Sequence, residues 1–207
     1  MLDKDSILIG YSGHAFVVAE TALENEIFII GYSEKKEVKL NPFNLKYLGC
    51  ENVDDFIGWK KDCSFILGIG DNYLRHNIAK IIANKNKKTK TVIHSSASIS
   101  PSSVIGSGTF INRNVSVNAQ VIIGENVILN TGCIVEHECV LEDAVHIAPG
   151  AVLLGNIYIG ERSFIGANSV IKQGIVIGKD VIIGAGAVII KDVQDGKKLV
   201  GNPSREI

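Results

Sequence analysis

Residues 121 to 141 read Val121-Ile122-Ile123-Gly124-Glu125-Asn126-Val127-Ile128-Leu129-Asn130-Thr131-Gly132-Cys133-Ile134-Val135-Glu136-His137-Glu138-Cys139-Val140-Leu141. Ile123, Leu129, Val135 and Leu141 mark every sixth position, and the beat runs from Ile93 to Ile189, seventeen aliphatic slots with none missed. Four residues after each slot stands a small or β-branched residue, here Val127, Cys133, Cys139 and then Val145. Glycine often follows the aliphatic, as at Gly106, Gly124, Gly160, Gly166, Gly178 and Gly184, where a tight corner favours it. An α-helix advances about 100° per residue, so a six-residue step rotates the marker by about 240° and cannot hold one face. Short strands broken by corners can. The repeat therefore predicts a parallel β-solenoid whose coils stack at about 4.8 Å, with Ile and Val lining the inside. Cys133 and Cys139 fall on the small inward register and read as core.

Upstream, the pattern changes. Ser6-Ile7-Leu8-Ile9-Gly10-Tyr11-Ser12-Gly13-His14 reads as a buried strand entering a glycine-rich turn, and Ala15 to Leu23 has helical spacing. Further strands over 27–30 and 64–69 and a helix over 74–83 make a small Rossmann-like α/β domain with a parallel sheet. Such sheets bind ligands at the carboxyl ends of their strands. Two turns lie there, the one containing Gly10, Ser12, Gly13 and His14, and Gly68-Ile69-Gly70-Asp71-Asn72 before the second helix. Backbone N–H groups at that helix start suit a phosphate, and Arg75 one turn in would add a bidentate grip. The G-x-G-x-x-G dinucleotide pattern is incomplete. The lysines at 80, 85, 87, 88 and 90 read as a solvated helix end and linker, so the expected layout is 1–92, 93–194 and a tail, 195–207.

Charge and composition narrow the function. Lys+Arg and Asp+Glu number 13 and 12 up to residue 92 and 8 and 10 beyond it, which gives neither half a polyanion-binding surface. Nucleic acid is not expected as a partner, and no apolar run reaches the roughly 20 residues that span a bilayer. Cys50, Cys63, Cys133 and Cys139 form no C-x-x-C pair, and the opening Met-Leu-Asp-Lys-Asp is unlike a leader, so a reducing cytoplasm is expected.

A catalytic site that moves a proton needs a positioned base, and histidine is the natural one near neutral pH. The repeats hold only His94, His137 and His146, and His137 is flanked by carboxylates in Val135-Glu136-His137-Glu138-Cys139. A carboxylate on one ring nitrogen would fix the tautomer and raise the basicity of the other. Were three units, eighteen residues, to close each coil, His137 would stack between Ala119 and Gly155 with little side-chain bulk beside it. By the same count Asn130 lies over Asn112. His137 and His146, half a coil apart, fall on different sides of a three-faced prism, so a site using both lies between two subunits. No third histidine is placed to complete a zinc site, and none is expected.

The repeat, [LIV]-[GAED]-x-x-[STAV]-x, resembles that of the hexapeptide-repeat acyltransferases, which implies a left-handed parallel β-helix of three units per coil; periodicity alone would have favoured a right-handed crossover. Gly10-x-Ser12-Gly13-His14, Ile69-Gly70-Asp71-Asn72-x-x-Arg75 and Glu136-His137-Glu138-Cys139 are similar to the sialic acid O-acetyltransferase and bacillosamine-pathway acetyltransferase group. The resemblance implies a homotrimer using acetyl-CoA, with the small domain holding a UDP-sugar on Gly10, Ser12, Gly13, His14, Gly70, Asp71, Asn72 and Arg75. It also implies His137 as base, Glu138 as its orienting partner, Asn130 as an active-site neighbour and His146 as a donor near the thioester carbonyl. Gly155, Gly166, Gly184 and Pro203 are expected beside the cofactor, since Val200-Gly201-Asn202-Pro203-Ser204-Arg205 resembles the family's cofactor-covering tail. Relatives carry an Asp-Asp pair after the second strand where this chain has Ser33-Glu34, which leaves the base of the nucleotide open. The expected reaction is N-acetylation of a nucleotide-linked amino sugar; the alternatives are O-acetylation of a sialic acid and a non-catalytic sugar-nucleotide-binding scaffold.

Overall fold

The computed structural model describes residues 5 to 207; Met1 to Lys4, in the opening read above, lie outside them. A parallel sheet of β1 (Ser6–Ile9), β2 (Ile29–Ser33) and β3 (Ser64–Leu67) has the order β2-β1-β3. Strand side chains alternate between its faces. Leu8 and Ile66 pack on Ala15, Val18, Ala19 and Ala22 of α1 (Gly13–Glu24), while Ile7, Ile9, Phe65 and Leu67 pack on Ile78, Ala79 and Ile82 of α2 (Asn72–Asn84). Both sheet faces are thus covered, which is why these strands read as unbroken apolar runs.

The second strand starts at Ile29 rather than Ile27 because the end of α1 uses the intervening residues. Glu26 is left-handed (φ 58), its N–H donates to the Leu23 carbonyl, and Ile27 N–H donates back to Ala22. That is a Schellman closure, and Asn86 (φ 55) and Lys87 repeat it at the end of α2. The lysine-rich stretch is not the free linker expected: Thr89 bridges Phe65 in parallel, with the Phe65 N–H on the Lys88 carbonyl and the Lys90 N–H on the Phe65 carbonyl.

From Val92 to Ile189 the chain winds as a three-sided parallel solenoid of seventeen two-residue strands. Each strand pairs with the one eighteen residues on, for example Ile128 with His146 and Ile134 with Val152. The second residue of every strand is one of the seventeen aliphatic slots, and a single interior cluster runs from Ile111 to Val193. Corners are often left-handed, as at Asn126, Glu138 and Asn168. Cys133 and Cys139 are fully buried, and burial raises their thiols to about 12 and about 11.

The first side of the prism, strands 92–93 through 182–183, carries the α/β domain. Its outward Val92, Phe110 and Ile128 join the cluster under α1. At the rim, Arg113 pairs with Glu20 and Glu24, and His94 with Glu24. The tail returns to this side: Lys198–Val200 pairs with 182–183, and Arg205–Glu206 folds back antiparallel on it.

Candidate active site

His137 stands at the corner between the second side (strand 134–135) and the third (strand 140–141). Its ring is half exposed, and Nδ1 lies 3.1 Å from Glu138 Oε2. Glu138 adopts φ 60, a left-handed conformation that costs a non-glycine residue about 1 kcal/mol and that here places its carboxylate beside the preceding imidazole. Nε2 has no partner. The Glu138 N–H donates to the Ala119 carbonyl and the Asn156 N–H to the His137 carbonyl, so the corner is held by the coils on either side. The geometry is that of a solvent-facing base oriented by a carboxylate.

His14 and His146 meet elsewhere, while His76 and His94 pair separately with Glu161 and Glu24. His146, on the first side, is buried beneath the α/β domain, its ring 6.2 Å from that of His14 and edge-on to Phe164 at 5.0 Å. Asn130 Oδ1 accepts from Asn112 Nδ2 (3.1 Å) and from the Thr131 N–H, so Asn130 Nδ2 faces His146 Nε2 at 3.3 Å. His146 Nδ1 then points its hydrogen at the Gly70 carbonyl, 3.4 Å away. Both ring nitrogens are engaged within the chain, which corrects the expectation of His146 as a free donor to a thioester.

Burial, reinforced by the Arg75 charge, holds His146 down to about 3 and His14 to about 4, from an ordinary 6.5. The unfolded chain binds protons at these rings below pH 6.5 and the folded one does not, so stability is full above pH 6.5 and falls with acidification toward pH 3. For His146 alone the loss at pH 5 is about 2 kcal/mol. Urea midpoints measured between pH 7.5 and pH 5 should fall accordingly, and His146→Gln should lessen the dependence; a flat profile would contradict the burial described.

In the second turn Arg75 is not the phosphate grip expected. Arg75 is 1% exposed, with Nε on the Asn126 carbonyl (2.8 Å), Nη1 on Ile69 and Gly70 (both 3.1 Å) and Nη2 on Ala144 (2.8 Å) and Asn72 Oδ1 (3.0 Å). No N–H of that fork is offered to a phosphate, and desolvation lowers the guanidinium to about 9. Asn72 Nδ2 donates to the Arg162 and Ser163 carbonyls, and Asp71 caps α2 by accepting from the Leu74 N–H at 2.7 Å. Gly70, Asn72 and Arg75 together fasten the α/β domain to the solenoid. A carboxylate already capping α2 also disfavours an anion there.

The first turn is different. Ser12 at the start of α1 makes no capping bond, no acidic residue sits in the first turn, and a side chain at Gly13 would meet nothing within 4 Å. Gly10 takes φ 84, which only glycine adopts without strain, with its Cα close to the Gly68 carbonyl. His14 Nε2 is buried without a partner. Glu34, in the position of the missing Asp-Asp pair, accepts from the Tyr11 and Lys35 N–H groups. The open helix N-terminus belongs to α1.

The three glycines expected beside the cofactor each pack against a neighbour on the side where a Cβ would stand. The His137 ring lies against Gly155, the backbone of 183–185 against Gly166, and Val200 of the tail against Gly184. Pro203 is exposed in the tail turn. Sequence reasoning missed a cleft of about 370 Å³ beside Gly70 to Tyr73, walled by Arg162, Phe164, Asp180 and Ile182. The sequence carries no distinguishing signal for it, because outward apolar residues such as Phe164 and Ile182 are matched on the third side by Val104, Ile122, Tyr158 and Val176. Among the described residues no group of three His, Cys, Asp or Glu side chains is placed to hold a metal ion, and no helix is long and apolar enough to cross a membrane.

Comparison with known proteins agrees with this layout. Residues 6–82 match the PglD N-terminal domain, and residues 138–173 and 156–191 match the bacterial transferase hexapeptide (six repeats). The acetyltransferase domain of PglB from Neisseria gonorrhoeae, solved with acetyl coenzyme A, is 32% identical over 99% of this chain and 100% of that one (TM-score 0.92). Perosamine N-acetyltransferase from Caulobacter crescentus, in complex with CoA and GDP-perosamine, is 29% identical over 98% and 96% (TM-score 0.92), and WeeI from Acinetobacter baumannii 25% over 98% and 99% (TM-score 0.87). Among curated proteins, none matches the sequence. With its α/β domain followed by a left-handed parallel β-helix, the chain belongs to the hexapeptide-repeat acetyltransferases.

Proposed function

We propose that the protein transfers the acetyl group of acetyl-CoA to the amino group of a nucleotide-linked 4-amino-deoxy sugar, with His137 as general base. The observation that carries the reading is the half-exposed imidazole held by Glu138 at an open corner, with Nε2 free. The amine nitrogen attacks the thioester carbonyl carbon while Nε2 takes its proton, and Glu138 steadies the imidazolium through Nδ1–H. The Gly155 N–H, beside the ring, meets no acceptor among the described residues, whereas Leu154 and Asn156 on either side donate to Ile171 and His137 carbonyls. We assign it as a donor for the oxyanion. Collapse breaks the C–S bond, and the imidazolium proton leaves on the CoA thiol. Buried Cys133 and Cys139, their thiols raised, offer no nucleophile for a covalent intermediate.

The acceptor's diphosphate is assigned to the uncapped start of α1, at Ser12, Gly13 and His14. That turn lies over the first side of the prism and His137 at another corner, so the complete site is formed between copies, in a homotrimer. A column of exposed apolar residues on the third side, Val104, Ile122, Tyr158 and Val176, supports such packing. In this assembly Asn130 and the 370 Å³ cleft of one copy border the acyl-transfer position of another. The reading places the reaction in the cytoplasm, in keeping with its use of acetyl-CoA.

The direct assay is thiol release from acetyl-CoA with UDP- and GDP-linked 4-amino-deoxy sugars and with free sialic acid. Release is expected with one of the amino sugars, and the panel also identifies the base. Faster release with sialic acid would establish O-acetylation instead. Tight nucleotide binding without release from any acceptor would establish a scaffold.

A further inference from the structure

We propose that Gly155 is a positioning residue for His137: the missing side chain one coil above is what lets the imidazole lie along the solenoid with Nδ1 on Glu138. This rests on His137 being the base. A Cβ built on Gly155 would fall 2.5 Å from His137 Nε2, 3.0 Å from Nδ1 and closer still to Cε1, and those are its three nearest atoms. The ring therefore occupies the volume that any other residue would need.

Two observations separate this glycine from the others. Gly155 is not among the glycines with positive φ, so its backbone would accept an alanine. Nor is the corner itself intolerant, because the positions that stack with it at eighteen-residue intervals are Pro101, Ala119, Gln173 and Lys191, all bearing side chains. Glycines such as Gly106, Gly160 and Gly166 instead face the backbone of the next coil and serve stacking. At position 155 the conflict is with the base alone. A methyl group there forces the imidazole to rotate, which either lengthens the 3.1 Å contact to Glu138 or carries Nε2 away from its position. A displacement of about 1 Å in a reacting group costs on the order of a hundredfold in rate.

Alanine keeps the Gly155 N–H, so Gly155→Ala reads the ring's seat and not the loss of that donor. The expected result is a fall in kcat of about a hundredfold, with the KM for acetyl-CoA within about threefold of the parent. In the His137→Ala background the same change should have no further effect, because the two residues act as one unit. Parent-like kcat in Gly155→Ala would overturn the proposal, as would an equal loss in both backgrounds or an effect confined to the acetyl-CoA KM. Full activity in His137→Ala removes the base and this proposal together; full activity in Gly155→Ala beside an inactive His137→Ala removes this proposal alone. If Gly155→Ala does not fold, the parent protein supplies the readout. The Gly155 α-proton resonances should be ring-shifted and lose that shift in His137→Ala; unchanged resonances would overturn the contact.

Discussion

His137→Ala should lower kcat by two to four orders of magnitude while leaving thermal stability and assembly unchanged. The size follows from removing the proton acceptor in a transition state that still keeps its bound substrates and oxyanion donor. Stability is spared because the ring is half exposed and, among the described residues, its one hydrogen bond is to the still more exposed Glu138. Glu138→Gln should cost less, about tenfold to a hundredfold, since it removes the charge that steadies the imidazolium but keeps an acceptor for Nδ1–H. Steady-state kinetics with saturating acetyl-CoA measure both. An alanine variant within a few-fold of the parent would take the base assignment away.

Arg75→Met should produce the largest loss of stability of any single replacement outside the solenoid interior, about 3 to 5 kcal/mol. The methionine fills much of the volume, but the carbonyls of Ile69, Asn126 and Ala144 lose their Arg75 donors in a buried site. Arg75→Lys should not rescue it, because one ammonium cannot span carbonyls from two coils and a loop. For a chain of this size that corresponds to a melting temperature lower by roughly 10 °C. Hydrogen exchange should show the loss first at residues 69–73 and 144–145. A change below about 1 kcal/mol would mean that the fork is not the fastening it is described to be.

These two residues also mark how far the amino-acid sequence carries. The solenoid is readable because its core is built one residue at a time: the inward slot is the same in every unit, so the period alone identifies the lining from Ile93 to Ile189. The His137–Glu138 pair is readable for a similar reason, since adjacent residues at a corner need no distant partner to meet. Arg75 is not. Its place near a helix start suggested a phosphate grip, and nothing local announces that carbonyls 51 and 69 residues away fill the same fork. Gly155 lies between these cases. The eighteen-residue coil put it over His137, but the direction of the ring decides whether the space above the glycine is open, and side-chain direction is not carried by periodicity. The Asp71 cap shows the same limit: an aspartate before a helix suits both a cap and a ligand site, and only the 2.7 Å bond to Leu74 chooses.

The central claim is that acetyl transfer takes place at the His137 corner of one copy, opposite the first side of a neighbouring copy. A crystal structure of the protein with CoA and the accepted nucleotide amino sugar tests it most directly. The account predicts the CoA sulfur and the sugar amine side by side, the amine within about 3 Å of His137 Nε2 and the sugar's diphosphate on the Ser12–His14 turn of another copy. A thiol or an amine located away from that imidazole, or both substrates held within a single copy, would contradict it.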